Sequence, residues 1–425
     1  MKTIRRGVIT LTFVLALVFV FLGTARIAEA VDLILYNGKI VTVDKKFSIA
    51  EAVAINNGKF VKVGKNAEIR ALAGPKTKKI NLKGKMVTPG FIDSHPHLIH
   101  FGKRATEVVV NLEGLDSIAA IKQHIAERVQ KTPPGQWIAC TAVGTPPDYF
   151  HFPQQFKEKR WPTRWDLDEV APNNPVFIGA PATYCPHPGI MNSYALKVMG
   201  VTKDTQDEPG GVRIRKDPQT GEPNGLLDEM HIYNLKPFRI KLLRMLPQPT
   251  FEQMVGGVRN LMRKYNATGV TAVYEGHYTV AEDWTLYKAL WDRNELTVRV
   301  YFTFEEPLRK SIEEIERWMK ESGHNAGRGF GDDLLMIGGA TISIDNAVQQ
   351  GLALFNKPYI GPYGETTSGL QLVSTEKAKK IAQLAAKYDI RLNFQVCGDK
   401  AGDIALEAFE EANKTIPIKD RRWLL

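Results

Sequence analysis

Thr88-Pro89-Gly90-Phe91-Ile92-Asp93-Ser94-His95-Pro96-His97 is an apolar run that ends in Asp-x-His-x-His. Side chains alternate along a strand, so an extended chain places Asp93, His95 and His97 on one face. If that face lines a barrel, two imidazoles converge at its C-terminal mouth, where neutral imidazole can ligate zinc or a similar divalent ion. Downstream, the pattern alternates between helix and strand. Helices are predicted over 251–266, 281–293, 308–321, 375–388 and 402–413. Strands are predicted over 269–274, 296–304, 334–344 and 391–396, and another begins at 422. Repeated βα units with buried strands imply a parallel sheet, and the count suits a (β/α)8 barrel. Six strands fit before Leu425, so the expected fold is α/β, an incomplete (β/α)8 barrel over 87–425 whose sheet stays open.

Working outward, residues 31–86 read as a small β domain of sandwich-like type. Asn37-Gly38 and Asn56-Asn57-Gly58 each separate two apolar runs, which predicts two hairpins. The lysine-rich stretch 76–85 lacks interleaved aromatics, so it reads as a solvated loop and edge strand rather than a nucleic-acid surface. Residues 98–249 break the βα rhythm and are rich in proline. They read as a large insertion after the first barrel strand, placed over the barrel mouth.

The composition is that of a globular protein, with 44% hydrophobic and 24% charged residues. Three cysteines exclude a disulfide scaffold. The formal charge is +10, of which the first thirty residues supply three. Those residues carry Lys2, Arg5 and Arg6, then an uncharged run from Val8 to Leu22, then Ala28-Glu29-Ala30. This is a secretory signal-peptide pattern at 1–30, so a mature chain starting near Val31 is expected, exported to the periplasm or beyond the cell. No stable membrane association is expected after cleavage. The uncharged run is short for a bilayer span, which needs about 20 residues.

Several spaced motifs resemble the amidohydrolase superfamily, in the branch of the N-substituted formamide deformylases. They are 32–40 in the β domain, Thr88 to His97, Pro175-Val176-Phe177, His187, Asn192 to Leu196, Gly225 to Glu229, and Gly398-Asp399-Lys400-Ala401. The resemblance implies metal-assisted hydrolysis of C–N bonds in amides, formamides and related small molecules. A bound metal lowers the pKa of water and polarises the carbonyl. It also implies two histidines on the first strand, often a carbamylated lysine on the fourth, histidines on the fifth and sixth, and an aspartate on the eighth. The small domain would be of the composite type, completed by later strands.

The residues depart from that pattern. Thr341 stands at the lysine position and Gln395 at the fifth-strand histidine position, and the eighth-strand aspartate would lie beyond Leu425, so the catalytic residue is unassigned. The expected metal ligands are His95 and His97, supplemented by His277, Glu275 or Gln395, with zinc the expected ion. Alternation over 270–277 places Val273, Glu275 and His277 on one face. His187, Glu229 and Asp345 are the expected substrate residues. Two functions stay open: a metal-dependent hydrolase of C–N bonds, or a metal-poor relative that binds a small ligand without hydrolysing it. Self-association through an open sheet edge also stays open.

Overall fold

The computed structural model describes residues 31–425 apart from 146–148, 151, 181–187, 210, 231–235, 278, 306–309, 322–329 and 362–363. The signal-peptide reading of 1–30 and the position of His187 lie outside the described residues. The chain divides at Gly90 into two compact units.

The first unit holds two small sheets. One orders Lys59–Gly64, Ala52–Asn56, Leu33–Tyr36 and Lys78–Asn81; the other orders Ile49–Ala50, Lys39–Val41 and Met86–Val87. The hairpin around Asn57-Gly58 forms, with both residues in the left-handed region (φ 50° and 71°), as a two-residue turn of this kind requires. The Asn37-Gly38 hairpin does not form. Leu33–Tyr36 and Lys39–Val41 join different sheets, each through a parallel partner further along the chain. Asn37 takes φ 58° to make the crossing, and a Cβ on Gly38 would stand 2.3 Å from Leu82. The unit is therefore mixed rather than antiparallel.

The second unit is built on a curled parallel half-barrel sheet. Its parallel strands run in chain order: β1 (Phe91–Asp93), β2 (Val270–Glu275), β3 (Arg299–Phe304), β4 (Leu335–Ser343) and β5 (Leu392–Gln395), and a two-residue strand, Phe330–Gly331, pairs antiparallel with β4. The sixth expected strand is reduced to one parallel bridge, Asn393 to Leu424. Among the described residues six helices cover one face: α1 (Leu98–Arg104), α2 (Phe251–Ala267), α3 (Ala281–Asp292), α4 (Ile312–Glu321), α5 (Thr375–Lys387) and α6 (Asp399–Thr415). Thr250 starts α2 through a reciprocal cap: its hydroxyl accepts from the Gln253 N–H at 3.3 Å, and the Gln253 side chain accepts from the Thr250 N–H at 2.8 Å. Leu98 and Ile99, expected to open the insertion, are core residues packed with Val255 and Val258 of α2. The helices α1 and α2 touch through Gly102 and Gly257, where a Cβ on Gly257 would stand 2.1 Å from the Gly102 carbonyl.

The helix-side core joins Val273, Val300, Phe302 and Ile337 to α1–α3, and Ile342, Leu392 and Phe394 to α4–α6. Burying each large apolar side chain contributes about 1.5–3 kcal/mol. Leu335 and Ile337 face the helices, and so do Ala340 and Ile342. An extra residue separates the two pairs, and the register against β3 shifts from Phe302↔Ile337 to Phe304↔Ala340. Gly338-Gly339 forms this bulge: Gly339 takes φ 118°, and a Cβ on Gly338 would fall 1.8 Å from the Tyr301 hydroxyl. The slip turns Thr341 and Ser343 to the interior of the curl.

Between α1 and α2 lies a five-stranded sheet ordered Arg213–Lys216, Pro223–Asp228, Gly189–Met191, Val176–Ile178 and Ile138–Cys140. Asn192 organises it. The buried amide donates to the carbonyls of Ala171 and Asn174, both at 2.9 Å. Its oxygen accepts from the Val176 N–H at 3.0 Å and caps the helix Ser193–Met199 through the Ala195 N–H at 2.9 Å. The 192–196 motif, similar to a substrate-side segment, thus has its asparagine spent on structure. Among the described residues no helix is long and apolar enough to cross a membrane.

Candidate active site

Three imidazoles gather just past the C-terminal ends of β1 and β2. The ring centroids of His95 and His97 are 5.3 Å apart, those of His95 and His277 5.6 Å, and those of His97 and His277 5.5 Å. His277 is buried, His97 half-buried, and His95 the most open. Burial, and then the neighbouring His277 and His95, push His97 down to about 4. Burial and His277 also lower His95. Both rings are therefore neutral near pH 7, with a nitrogen lone pair free to bind a cation or take a proton.

The route by which these rings meet differs from simple alternation. Strand β1 ends at Asp93, and β2 ends at Glu275. Asp93 turns toward α2: its carboxylate lies beside Tyr265, whose hydroxyl it pushes up together with burial, and it accepts from the His95 N–H at 3.1 Å. His95 and His97 converge through the turn that follows. Likewise Val273 belongs to the helix-side core, and Glu275 accepts from the Tyr287 hydroxyl of α3 at 2.7 Å. Glu275 is fully buried, and burial raises its carboxyl to about 8, against the pull of Tyr287 and the first N–H groups of α1. It supports the helix that starts beside His97 and is not part of the imidazole group. Gly276 ends the pleat, so His277 escapes the face on which alternation placed it.

A carboxylate that sequence reading did not single out completes this side. Glu305 Oε2 lies 3.0 Å from His277 Nδ1, with both side chains nearly inaccessible, and Ser343 Oγ donates to Glu305 Oε1. Extending the alternation of β3 past Tyr301 and Thr303 would have aimed Glu305 inward.

The ends of β4 and β5 are different in kind. The Thr341 hydroxyl lies 2.7 Å from that of Thr303 and accepts from Asn393 Nδ2 at 3.3 Å. Asp345 accepts from the N–H groups of Leu354, Cys397 and Gly398 at 2.7, 2.8 and 2.8 Å. Burial raises its carboxyl, opposed by those three donors. Gln395 donates to Cys397 Sγ at 3.3 Å. Glu229 follows the strand Pro223–Asp228 of the inserted sheet, half-buried and at φ 63°.

The sequence profile of the amidohydrolase family matches residues 78–424, most of the chain. The chain belongs to the amidohydrolase family. Within it, the protein is similar to an N-substituted formamide deformylase of Arthrobacter pascens, 28% identical over 90% of this chain and 66% of that protein. Protein LONG AFTER FAR-RED 3 of Arabidopsis thaliana is 27% identical over 92% of this chain and 63% of its own length. This amidohydrolase chain thus spans a little under two thirds of these curated relatives. An uncharacterized metal-dependent hydrolase from Pyrococcus furiosus shares its fold, with a TM-score of 0.63 at 22% identity, covering 90% of this chain and 70% of that one.

Proposed function

We propose that this amidohydrolase-family chain is a metal-dependent hydrolase of a small molecule, acting on carbon–nitrogen bonds other than peptide bonds, such as those of amides or formamides. The observation that carries the reading is the group of three imidazoles past the strand ends, one of them backed by a buried carboxylate. The parallel sheet beneath it is read as part of a (β/α)8 barrel, in which active sites lie at this end of the strands.

The residues fit a divalent cation in donor type. Neutral imidazole suits zinc, and a carboxylate on the second ring nitrogen is the usual way a ligating histidine is held. Among the described residues no three His, Cys, Asp or Glu side chains stand as a preformed metal cage. His95, His97 and His277 would hold the ion, with zinc proposed. When bound, it would supply a water of lowered pKa and polarise the substrate carbonyl. The chain's own contribution is two rings kept neutral by burial and a third whose Nδ1 faces Glu305. The formamide class is favoured by the name of one relative.

A second reading, ligand binding without hydrolysis, is favoured by Thr341 and Gln395, which offer neither amine nor imidazole at the fourth and fifth strands. The test compares chelated and zinc-loaded protein on N-substituted formamides. Zinc-dependent release of formate and amine supports hydrolysis. Binding of these compounds with no turnover in either state favours the second reading.

A further inference from the structure

We propose that Glu305 is a positioning residue that fixes the orientation and tautomer of His277, and that Ser343 in turn fixes Glu305. The proposal deepens the reading of the three imidazoles as one ligand-binding group and rests on it. Three adjacent strands contribute. His277 follows β2, Glu305 follows β3, and Ser343 ends β4. The His277 and Glu305 side chains are 5% and 8% exposed, with Nδ1 and Oε2 3.0 Å apart. The other carboxylate oxygen accepts from the Ser343 hydroxyl.

The pair is also set from the backbone. The Glu305 N–H donates to the Thr279 carbonyl at 3.0 Å, and the Thr279 hydroxyl donates to the Thr303 carbonyl. Thr279 and Thr303 are fully buried. These bonds tie the His277 turn to the end of β3, so the two side chains meet at a fixed separation. The Gly338-Gly339 bulge supplies the third partner. Without its one-residue slip Ser343 would face the helices instead of Glu305.

An ionised carboxylate can only accept hydrogen bonds. When His277 is neutral and faces it across 3.0 Å, the proton belongs on Nδ1 and the lone pair on Nε2. A ring free to flip would present the wrong nitrogen part of the time, and orienting partners of this kind are worth about 10–100-fold in metal affinity.

The test uses full-length protein labelled with 15N at histidine. In the metal-free wild type, His277 should show the Nδ1–H tautomer. In Glu305→Ala it should become a mixture, and Ser343→Ala should shift part of the way. Glu305→Gln, which keeps an acceptor oxygen, should retain more of the native tautomer than Glu305→Ala. Zinc affinity by calorimetry should fall about 10–100-fold in Glu305→Ala. An unchanged His277 tautomer in Glu305→Ala, or equal zinc affinity in wild type and variant, overturns the proposal. If wild type binds no zinc, the metal reading falls, and the tautomer measurement still decides the role of Glu305. If Glu305→Ala does not fold, unshifted tautomers in both Glu305→Gln and Ser343→Ala overturn it.

Discussion

The two sides of the parallel sheet end differently. Past β1 and β2 the chain leaves three imidazoles beside one another, two of them held neutral by burial. At the ends of β4 and β5 most of the polar groups are taken up, the buried Gln395 side-chain oxygen excepted. Asp345 accepts three backbone N–H groups, and Thr341 is bonded within the interior. Residues at matching positions of one sheet therefore divide into a side that can still bind a ligand and a side that holds the loops in place. A carboxylate or hydroxyl whose lone pairs are already taken has little left for a cation or a substrate.

The largest test of this division is Asp345→Ala. It removes the acceptor of three N–H groups, two of them in buried bonds, and hydrogen bonds to a charged group are worth about 1.5–3 kcal/mol each before relaxation. We expect a loss of about 3–5 kcal/mol in denaturant unfolding, with Asp345→Asn milder. A loss below about 1 kcal/mol would show that Asp345 is not the tie described.

Next comes the double variant His95→Ala/His97→Ala. Zinc affinity should fall by at least about 100-fold, close to 3 kcal/mol, since one imidazole remains of three. The thermal midpoint of the metal-free protein should hold within a few degrees, because neither side chain belongs to the apolar core. Retained affinity would move the cation site elsewhere. The smallest effect is expected for Thr341→Val, which leaves the Thr303 hydroxyl and Asn393 short of a partner. We expect about 1–2 kcal/mol of lost stability and unchanged zinc affinity. A weakened zinc affinity would draw the fourth strand into the site and break the comparison.

Much of the frame was legible beforehand. The helix after Thr250 and the strands at β2 to β5 follow from periodicity and capping, and their ends fall close to where spacing placed them. The pairing of His95 with His97 was legible, and so was His277 as their neighbour. Strand alternation does not account for either, because Asp93 and Glu275, which alternation places on the same faces, turn to the helices. The Asn37-Gly38 turn departs from its local signal for a similar reason. An Asn-Gly pair signals a reversal of the chain, but the strands on either side found better partners at Lys78–Asn81 and Met86–Val87.

The sequence by itself determined the alternation of helix and strand, the family, and the identity of the imidazoles, since all are written in local spacing and residue chemistry. Tertiary structure decided which way the side chains face. Alternation is a property of an unbroken pleat, and it fails where a strand stops at Asp93 or Glu275, or slips at Gly338-Gly339. Beyond those points direction is set by hydrogen bonds to neighbouring strands. That is how Glu305 and Ser343, distant in sequence from His277, come to stand behind it.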